Sequence, residues 1–218
     1  MKSNLIAKLV LASSLAVSLA CSEGLFVGAQ GDYNFKSKQK LTATDTLGSL
    51  SETMSSGQFG LGIKGGYDFN NYKIYTQYVY SPETDDSKTI AGEKFTLKWS
   101  SHDLVVGGDY TPKVTKNIKA LVGGFIGVSM ANFKYEDFYT SADRINIDVS
   151  LPAFIFGIKL GGIYDINKNS AVDFGLKFSQ ANYQQYKMED YTGGVRDYEK
   201  FELKRTNTGL FVGYNYKF

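Results

Sequence analysis

The sequence runs out through Asn207-Thr208-Gly209-Leu210-Phe211-Val212-Gly213-Tyr214-Asn215-Tyr216-Lys217-Phe218, and this stretch decides the fold. Leu210, Val212, Tyr214, Tyr216 and Phe218 occupy even positions, while Asn207, Gly209, Gly213, Asn215 and Lys217 occupy odd ones. A repeat of two is that of a β-strand, whose successive side chains point to opposite faces. One face is large and apolar. The other is small, amide-bearing or cationic.

The same alternation recurs upstream. Leu25, Val27, Ala29, Tyr33 and Phe35 alternate with Gly28, Gln30, Asp32 and Asn34. Phe59, Leu61, Ile63, Tyr67 and Phe69 oppose Gly60, Gly62, Lys64, Gly66 and Asp68, after which Asn70-Asn71 predicts a tight turn. Between Tyr72 and Tyr80, Ile74, Thr76 and Tyr78 alternate with Lys73, Tyr75 and Gln77. After a turn containing Pro112 and Asn117, Ile118, Ala120, Val122, Ile126 and Val128 oppose Lys119, Gly123, Gly127 and Ser129. Phe154, Phe156, Ile158, Leu160 and Tyr164 oppose Gly157, Lys159, Gly161 and Asp165. Beyond Asn167-Lys168-Asn169, Val172, Phe174, Leu176 and Phe178 oppose Asp173, Gly175, Lys177 and Ser179. One segment is irregular: Phe95, Leu97 and Trp99 are odd, but Leu104, Val106 and Tyr110 are even. That predicts a bulge or a late strand start near Ser100-Ser101-His102, where the apolar face swaps. About eight such segments, joined by connections that are by turns short and long, predict an all-β, antiparallel, up-and-down transmembrane barrel.

Two unlike faces need two unlike surroundings. A soluble ligand-binding barrel would put charges outside and apolar groups inside. Here the polar face is rich in glycine, which suits a narrow interior where backbones approach closely and charges pair. The apolar face ends in aromatics at Tyr33, Phe35, Tyr67, Phe69, Tyr72, Tyr110, Tyr164, Tyr214 and Phe218, as interfacial residues of a membrane protein do. A closed barrel also satisfies every backbone group within hydrocarbon, which an open sheet cannot.

The terminal strand, with Tyr214, Tyr216 and a last Phe218, resembles the insertion signal of bacterial outer-membrane barrels. Strand number, size and loop rhythm over residues 25–218 resemble the small barrels typified by the outer membrane protein A transmembrane domain, outer membrane protein X and the opacity proteins. That resemblance implies residence in the bacterial outer membrane, contact with its lipid and lipopolysaccharide, and delivery by the barrel assembly machinery. It also implies a role in envelope structure or in adhesion to a host or envelope surface partner.

The inferred lumen holds Lys64, Lys73, Lys119, Lys159, Lys177 and Lys217 together with Asp32, Asp68, Asp103, Asp109, Asp165 and Asp173. These read either as the charged constriction of a narrow porin-like channel or as ion pairs holding a filled barrel in register; at eight strands side chains nearly fill the interior. The long connections Lys36–Ser56, Ser81–Lys94, Lys134–Val149 and Gln184–Glu202 face outward and lean acidic. No spacing among them matches a calcium loop, so no metal and no cofactor is expected. The last connection reads as two strands around Gly193-Gly194, a hairpin whose Tyr186, Tyr191, Tyr198 and Phe201 form a candidate contact surface. Beside it, Lys204 and Arg205 are expected at the outer rim, within reach of lipid phosphates.

No catalytic residue is expected. The single histidine, His102, lies between Ser101 and Asp103, which a regular strand directs to the opposite face. The N-terminus carries Lys2 and Lys8 before an apolar run from Leu9 to Ala20, a secretory signal over residues 1–20 that precedes one barrel domain over 21–218. Ser18-Leu19-Ala20-Cys21 resembles a lipoprotein processing site with its leucine displaced by one place, and it also fits ordinary cleavage before Cys21. The formal charge of +2 comes wholly from Lys2 and Lys8. A neutral mature chain without a basic stripe excludes a nucleic-acid partner.

Overall fold

The computed structural model describes residues 24–44, 49–90, 93–139, 143–183, 186–192 and 195–218. The segment read as a leader, and Cys21, lie outside the described residues. Among the described residues nine antiparallel strands follow one another: β1 (Leu25–Thr44), β2 (Ser49–Asp68), β3 (Tyr72–Ile90), β4 (Glu93–Tyr110), β5 (Ile118–Tyr139), β6 (Asp143–Asp165), β7 (Ser170–Tyr183), β8 (Tyr186–Thr192) and β9 (Val195–Lys217). Each strand from β1 to β7 pairs with the next in sequence; β7 then pairs with β9, and β9 with β1. The result is a closed, eight-stranded, up-and-down barrel, with β8 outside the ring and paired to β9 alone.

Closure runs from Phe26 opposite Lys217 to Thr44 opposite Lys200. At the seam's end the Phe218 amide donates to the Leu25 carbonyl at 2.9 Å. Every wall strand therefore has a partner on both sides through the barrel's middle, and no backbone edge is left there.

The short turns gather at one end. Asn70 adopts a left-handed conformation (φ 72°), and its amide donates to Asp68 Oδ1 at 2.8 Å. Asparagine tolerates that region better than a branched residue would. In the turn from β6 to β7, Asn167 Oδ1 accepts from the amides of Asn169 and Ser170 at 2.9 and 2.8 Å, a side chain imitating a turn carbonyl.

At the other end the hairpins are longer than the alternation predicts. Pairing of β1 with β2 continues to Thr44 opposite Ser49, of β3 with β4 to Ile90 opposite Glu93, and of β5 with β6 to Tyr139 opposite Asp143. Much of 36–56, 81–94 and 134–149, expected as loop, is thus continued strand. Beyond an apolar belt both faces of a hairpin meet water, so the sequence loses its alternation while the backbone keeps its pairing.

The irregularity expected in the fourth segment is elsewhere. β4 pairs with β5 without interruption from Phe95 opposite Asp137 to Tyr110 opposite Val122. Trp99, Ser101, Asp103 and Val105 all face inward, so no face swap occurs, and Trp99 is an interior residue at 1% exposure. The register shift lies on the partner strand, between Ser81 and Thr84 of β3, where Pro82 has no amide to offer a ladder. A second shift, in β1 between Asn34 and Ser37, leaves Phe35 and Lys36 both exposed and returns Ser37 and Gln39 to the interior.

Candidate functional site

The barrel exterior is apolar. Val27, Leu61, Ile63, Ile74, Leu104, Val106, Val122, Ile126, Ile158, Leu160, Leu176, Leu210 and Val212 are all exposed along its middle. Toward the short-turn end the exposed residues become Phe69, Tyr72, Tyr110, Tyr164, Tyr216 and Phe218; toward the other end they become Tyr33, Phe35, Phe59, Tyr78, Tyr80, Phe154 and Phe178. At about 3.4 Å per residue, Tyr72 to Tyr80 spans about 27 Å along β3, which with the usual strand tilt fits a hydrocarbon band of about 20–25 Å. His102 belongs to the upper ring: its Nδ1 lies 2.7 Å from the Tyr78 hydroxyl, and its ring centroid 5.0 Å from that of Tyr80. Ser101 and Asp103 are buried on the opposite face, out of reach of the imidazole.

The chemistry of the molecule is inside. Along one line, Lys177 Nζ donates to Asp32 Oδ2 at 2.8 Å and Gln30 Nε2 to Asp32 Oδ1 at 2.8 Å. Lys64 Nζ then bonds Gln30 Oε1 at 3.3 Å and pairs with Asp173, which also accepts from Asn215 Nδ2 at 3.1 Å. This chain joins β1, β2, β7 and β9 through the lumen. Beside it, Lys159 donates to Asp109 Oδ2 at 3.0 Å and lies 4.3 Å from the centroid of the Tyr75 ring. A hydrogen-bonded carboxylate on one side and a ring face on the other stabilise an ammonium that is otherwise removed from water.

Interior glycines make these contacts possible. A Cβ at Gly123 would sit 2.0 Å from Asp109 Oδ1, and one at Gly107 would sit 2.3 Å from the Tyr75 ring. The glycine-rich face of the sequence is therefore the space that the paired side chains occupy.

The highest tier contains a residue that the sequence reading put elsewhere. Arg205, expected at the rim among lipid phosphates, is 1% exposed and points into the lumen. Its Nη2 donates to both Asp103 oxygens at 3.0 Å and to Ser129 Oγ at 3.2 Å; its guanidinium carbon lies 5.5 Å from the Trp99 ring centroid. β9 alternates without a break, Asn215, Gly213, Phe211, Gly209, Asn207 and Arg205 all being buried, and the bulge opposite it lies on β1 alone. Neighbouring Lys204 faces outward, 3.9 Å from Glu202. β4 and β9 stand on opposite sides of the ring, so Arg205 and Asp103 tie one wall to the other.

Near the short turns, Lys119 pairs with Asp165 at 3.0 Å, and Lys73 approaches Asp68 only to 3.9 Å. Every lumen residue named from the sequence except Lys217 thus has an opposite charge within 4 Å among the described residues. Apolar residues share the space: Leu121, Ile163 and Phe211 form one cluster, and Val105, Phe125, Ile155 and Tyr183 belong to another. No group of three or more His, Cys, Asp or Glu is placed to hold a metal among the described residues.

Of the candidate contact residues, Tyr186 and Phe201 are opposite each other in the β8–β9 ladder, as are Glu189 and Tyr198, and Tyr191 and Arg196. The hairpin read from the sequence exists; its side chains lie outside the described ones. Tyr214, Tyr216 and Phe218 face outward, and the rings of the last two meet edge to face at 5.3 Å.

No family model matches this chain, and no curated protein does. Among solved structures it is similar to the outer membrane protein OprG of Pseudomonas aeruginosa, at 14% identity and TM-score 0.49 over 90% of this chain and 96% of that one. It is similar to the outer membrane protease OmpT of Escherichia coli, at 11% identity and TM-score 0.47 over 88% and 97%. It is also similar to Ail, the attachment invasion locus protein of Yersinia pestis, at 10% identity and TM-score 0.42 over 87% and 99%. The class follows from the chain's own geometry: a closed barrel with an apolar, aromatic-rimmed exterior and an interior of paired charges is a transmembrane β-barrel.

Proposed function

We propose that this protein is a non-enzymatic barrel of the bacterial outer membrane, with an envelope-structural or surface-binding role carried by its long hairpins. The observation that supports this reading is the contact of Arg205 with Asp103, from strands on opposite sides of the ring, in a lumen also crossed by Lys64 and Asp173. An interior closed by paired charges serves the wall rather than transport. The lipid and lipopolysaccharide of the outer membrane then surround the belt, and the barrel assembly machinery recognises the β9 strand through its outward Tyr214, Tyr216 and Phe218. The β8–β9 hairpin, whose β8 lies outside the ring and pairs with β9, is the part we assign to a host or envelope partner.

A narrow porin-like channel is the second reading. It draws support from interior polar atoms without a protein partner among the described residues, including both amide atoms of Gln58 and the Ser101 hydroxyl, which call for water inside the barrel. Planar-bilayer conductance of the refolded mature protein separates the two. We expect no stable channel from protein shown to be folded by heat-dependent gel mobility. Steady conductance that changes with Lys64→Ala or Asp173→Ala would reverse the assignment.

A further inference from the structure

Among the described residues, positive charge without a close carboxylate gathers at the short-turn mouth of the lumen. At the short-turn end, Phe26, Lys73, Lys119, Lys168, Lys217 and the two carboxylates Asp68 and Asp165 line a cavity of about 120 Å³. Four ammonium groups face two carboxylates. Asp165 is taken up by Lys119 at 3.0 Å, whereas Asp68 comes no nearer than 3.9 Å to Lys73, too far for a hydrogen bond. Lys168 and Lys217 carry no ion pair among the described residues.

Lys73 is the unusual member. Its side chain is only 8% exposed, its ammonium lies 5.4 Å from the centroid of the Phe26 ring, and that ammonium has no hydrogen-bond acceptor among the described residues. An ammonium has three donors, and withdrawing it from bulk water without acceptors is costly. Deeper in the lumen the problem is solved within the protein, by Asp173 for Lys64 and by Asp109 for Lys159. At the mouth it is not solved, and the cations converge from β3, β5, β9 and the turn after β6 onto one small space.

We infer that the short-turn mouth of the barrel is an anion site, built by Lys73, Lys119 and Lys217 for a small oxyanion of the phosphate type. The excess of two positive charges matches a dianion. The volume takes a tetrahedral oxyanion and not a sugar ring. Lysines from separate elements act as point charges around a compact anion, while the fork of an arginine would be needed to favour a planar carboxylate. Lys168, on the exposed turn, adds attraction at the entrance. Inorganic phosphate and the phosphate of a lipid headgroup share this chemistry, and the inference is independent of whether the lumen conducts.

The test is calorimetric titration of inorganic phosphate into the refolded full barrel in dodecyl maltoside, with ionic strength held constant by chloride. Saturable binding is expected. Lys73→Gln and Lys217→Gln should each weaken it by about tenfold, as loss of a charge-assisted hydrogen bond does. Lys204→Gln, at the far end, should leave it unchanged. Asp68→Asn should tighten binding, which keeps the site testable even if the Lys73 variant fails to fold by gel mobility. Repeating the titration in phosphatidylglycerol nanodiscs identifies the source: phosphate binding retained there assigns the site to the free ion, and binding abolished there assigns it to a lipid headgroup. Heats that scale only with ionic strength, or equal affinities in the native protein and in both the Lys217→Gln and Asp68→Asn variants, would overturn the site.

Discussion

At the level of single residues, the interior pairs raise the question of what a buried charge contributes. Arg205 and Asp103 have side-chain exposures of 1% and 12%, and the guanidinium touches both carboxylate oxygens. Desolvation of two such ions roughly cancels their attraction, so the pair as a whole adds little net stability, yet removing either partner leaves an uncompensated charge. Arg205→Leu is therefore expected to destabilise the folded barrel by about 3–5 kcal/mol, and Arg205→Leu with Asp103→Leu to recover most of that loss. Urea unfolding in lipid vesicles measures both. A double variant no more stable than Arg205→Leu would mean that the pair is not the reason the single change hurts. Arg205 was also the residue hardest to place from sequence. Period two carried upstream from Asn207 and Gly209 directs Arg205 inward, but the apolar face of β9 stops at Leu210, and Thr206 and Thr208 give no sign that the strand continues past the belt.

At the level of strands, the outward face was readable because it has one environment. Hydrocarbon favours apolar side chains, so Val122, Ile126 and Val128 share the outward parity of β5, with Gly124 between the first two. The inward face has several environments at once. Leu121 and Phe125 lie among apolar neighbours while Lys119 and Ser129 on the same face meet Asp165 and Asp103, so no simple pattern survives. Trp99 misled for this reason: a large apolar residue at an odd position suggested a swapped face, when it was an interior ring beside a guanidinium. The belt itself makes a quantitative prediction. Ile126→Arg, at a fully lipid-facing mid-height position, should cost about 2–4 kcal/mol of unfolding free energy in vesicles, and Met130→Arg, near the upper rim, less than about 1 kcal/mol. Equal effects at both heights would remove the argument for a hydrocarbon band. The β8–β9 hairpin predicts the opposite kind of outcome. Because β7 pairs directly with β9 as far as Asn182 opposite Lys204, replacing residues 186–198 by a short glycine-containing turn leaves the ring complete. Heat-dependent gel mobility should be unchanged and stability altered by less than about 1 kcal/mol, while any surface binding is lost.

For the whole molecule, closure is the property on which the rest depends, because only a ring removes the edges and creates a lumen. It was implied by the sequence through chemistry rather than through pairing: two unlike faces with no water for the apolar one require every backbone group to be satisfied. Which residues meet across the lumen was not readable, since that depends on strand stagger and tilt summed around the ring, and small registers at each hairpin accumulate. The seam offers a direct check. Ala29 of β1 stands opposite Tyr214 of β9, far apart in the chain and adjacent only if the sheet closes. Directly opposed antiparallel residues have Cα atoms about 4.5–5.5 Å apart, within the range a disulfide spans. Ala29→Cys with Tyr214→Cys, in a Cys21→Ser background, should therefore oxidise within the folded monomer and run as a distinct band on a non-reducing gel. The bond would enclose most of the chain in one loop, so it should raise stability by up to about 5 kcal/mol, reversed by reduction. An open sheet holds those two positions at opposite edges, and there the cysteines would remain free or link one molecule to another.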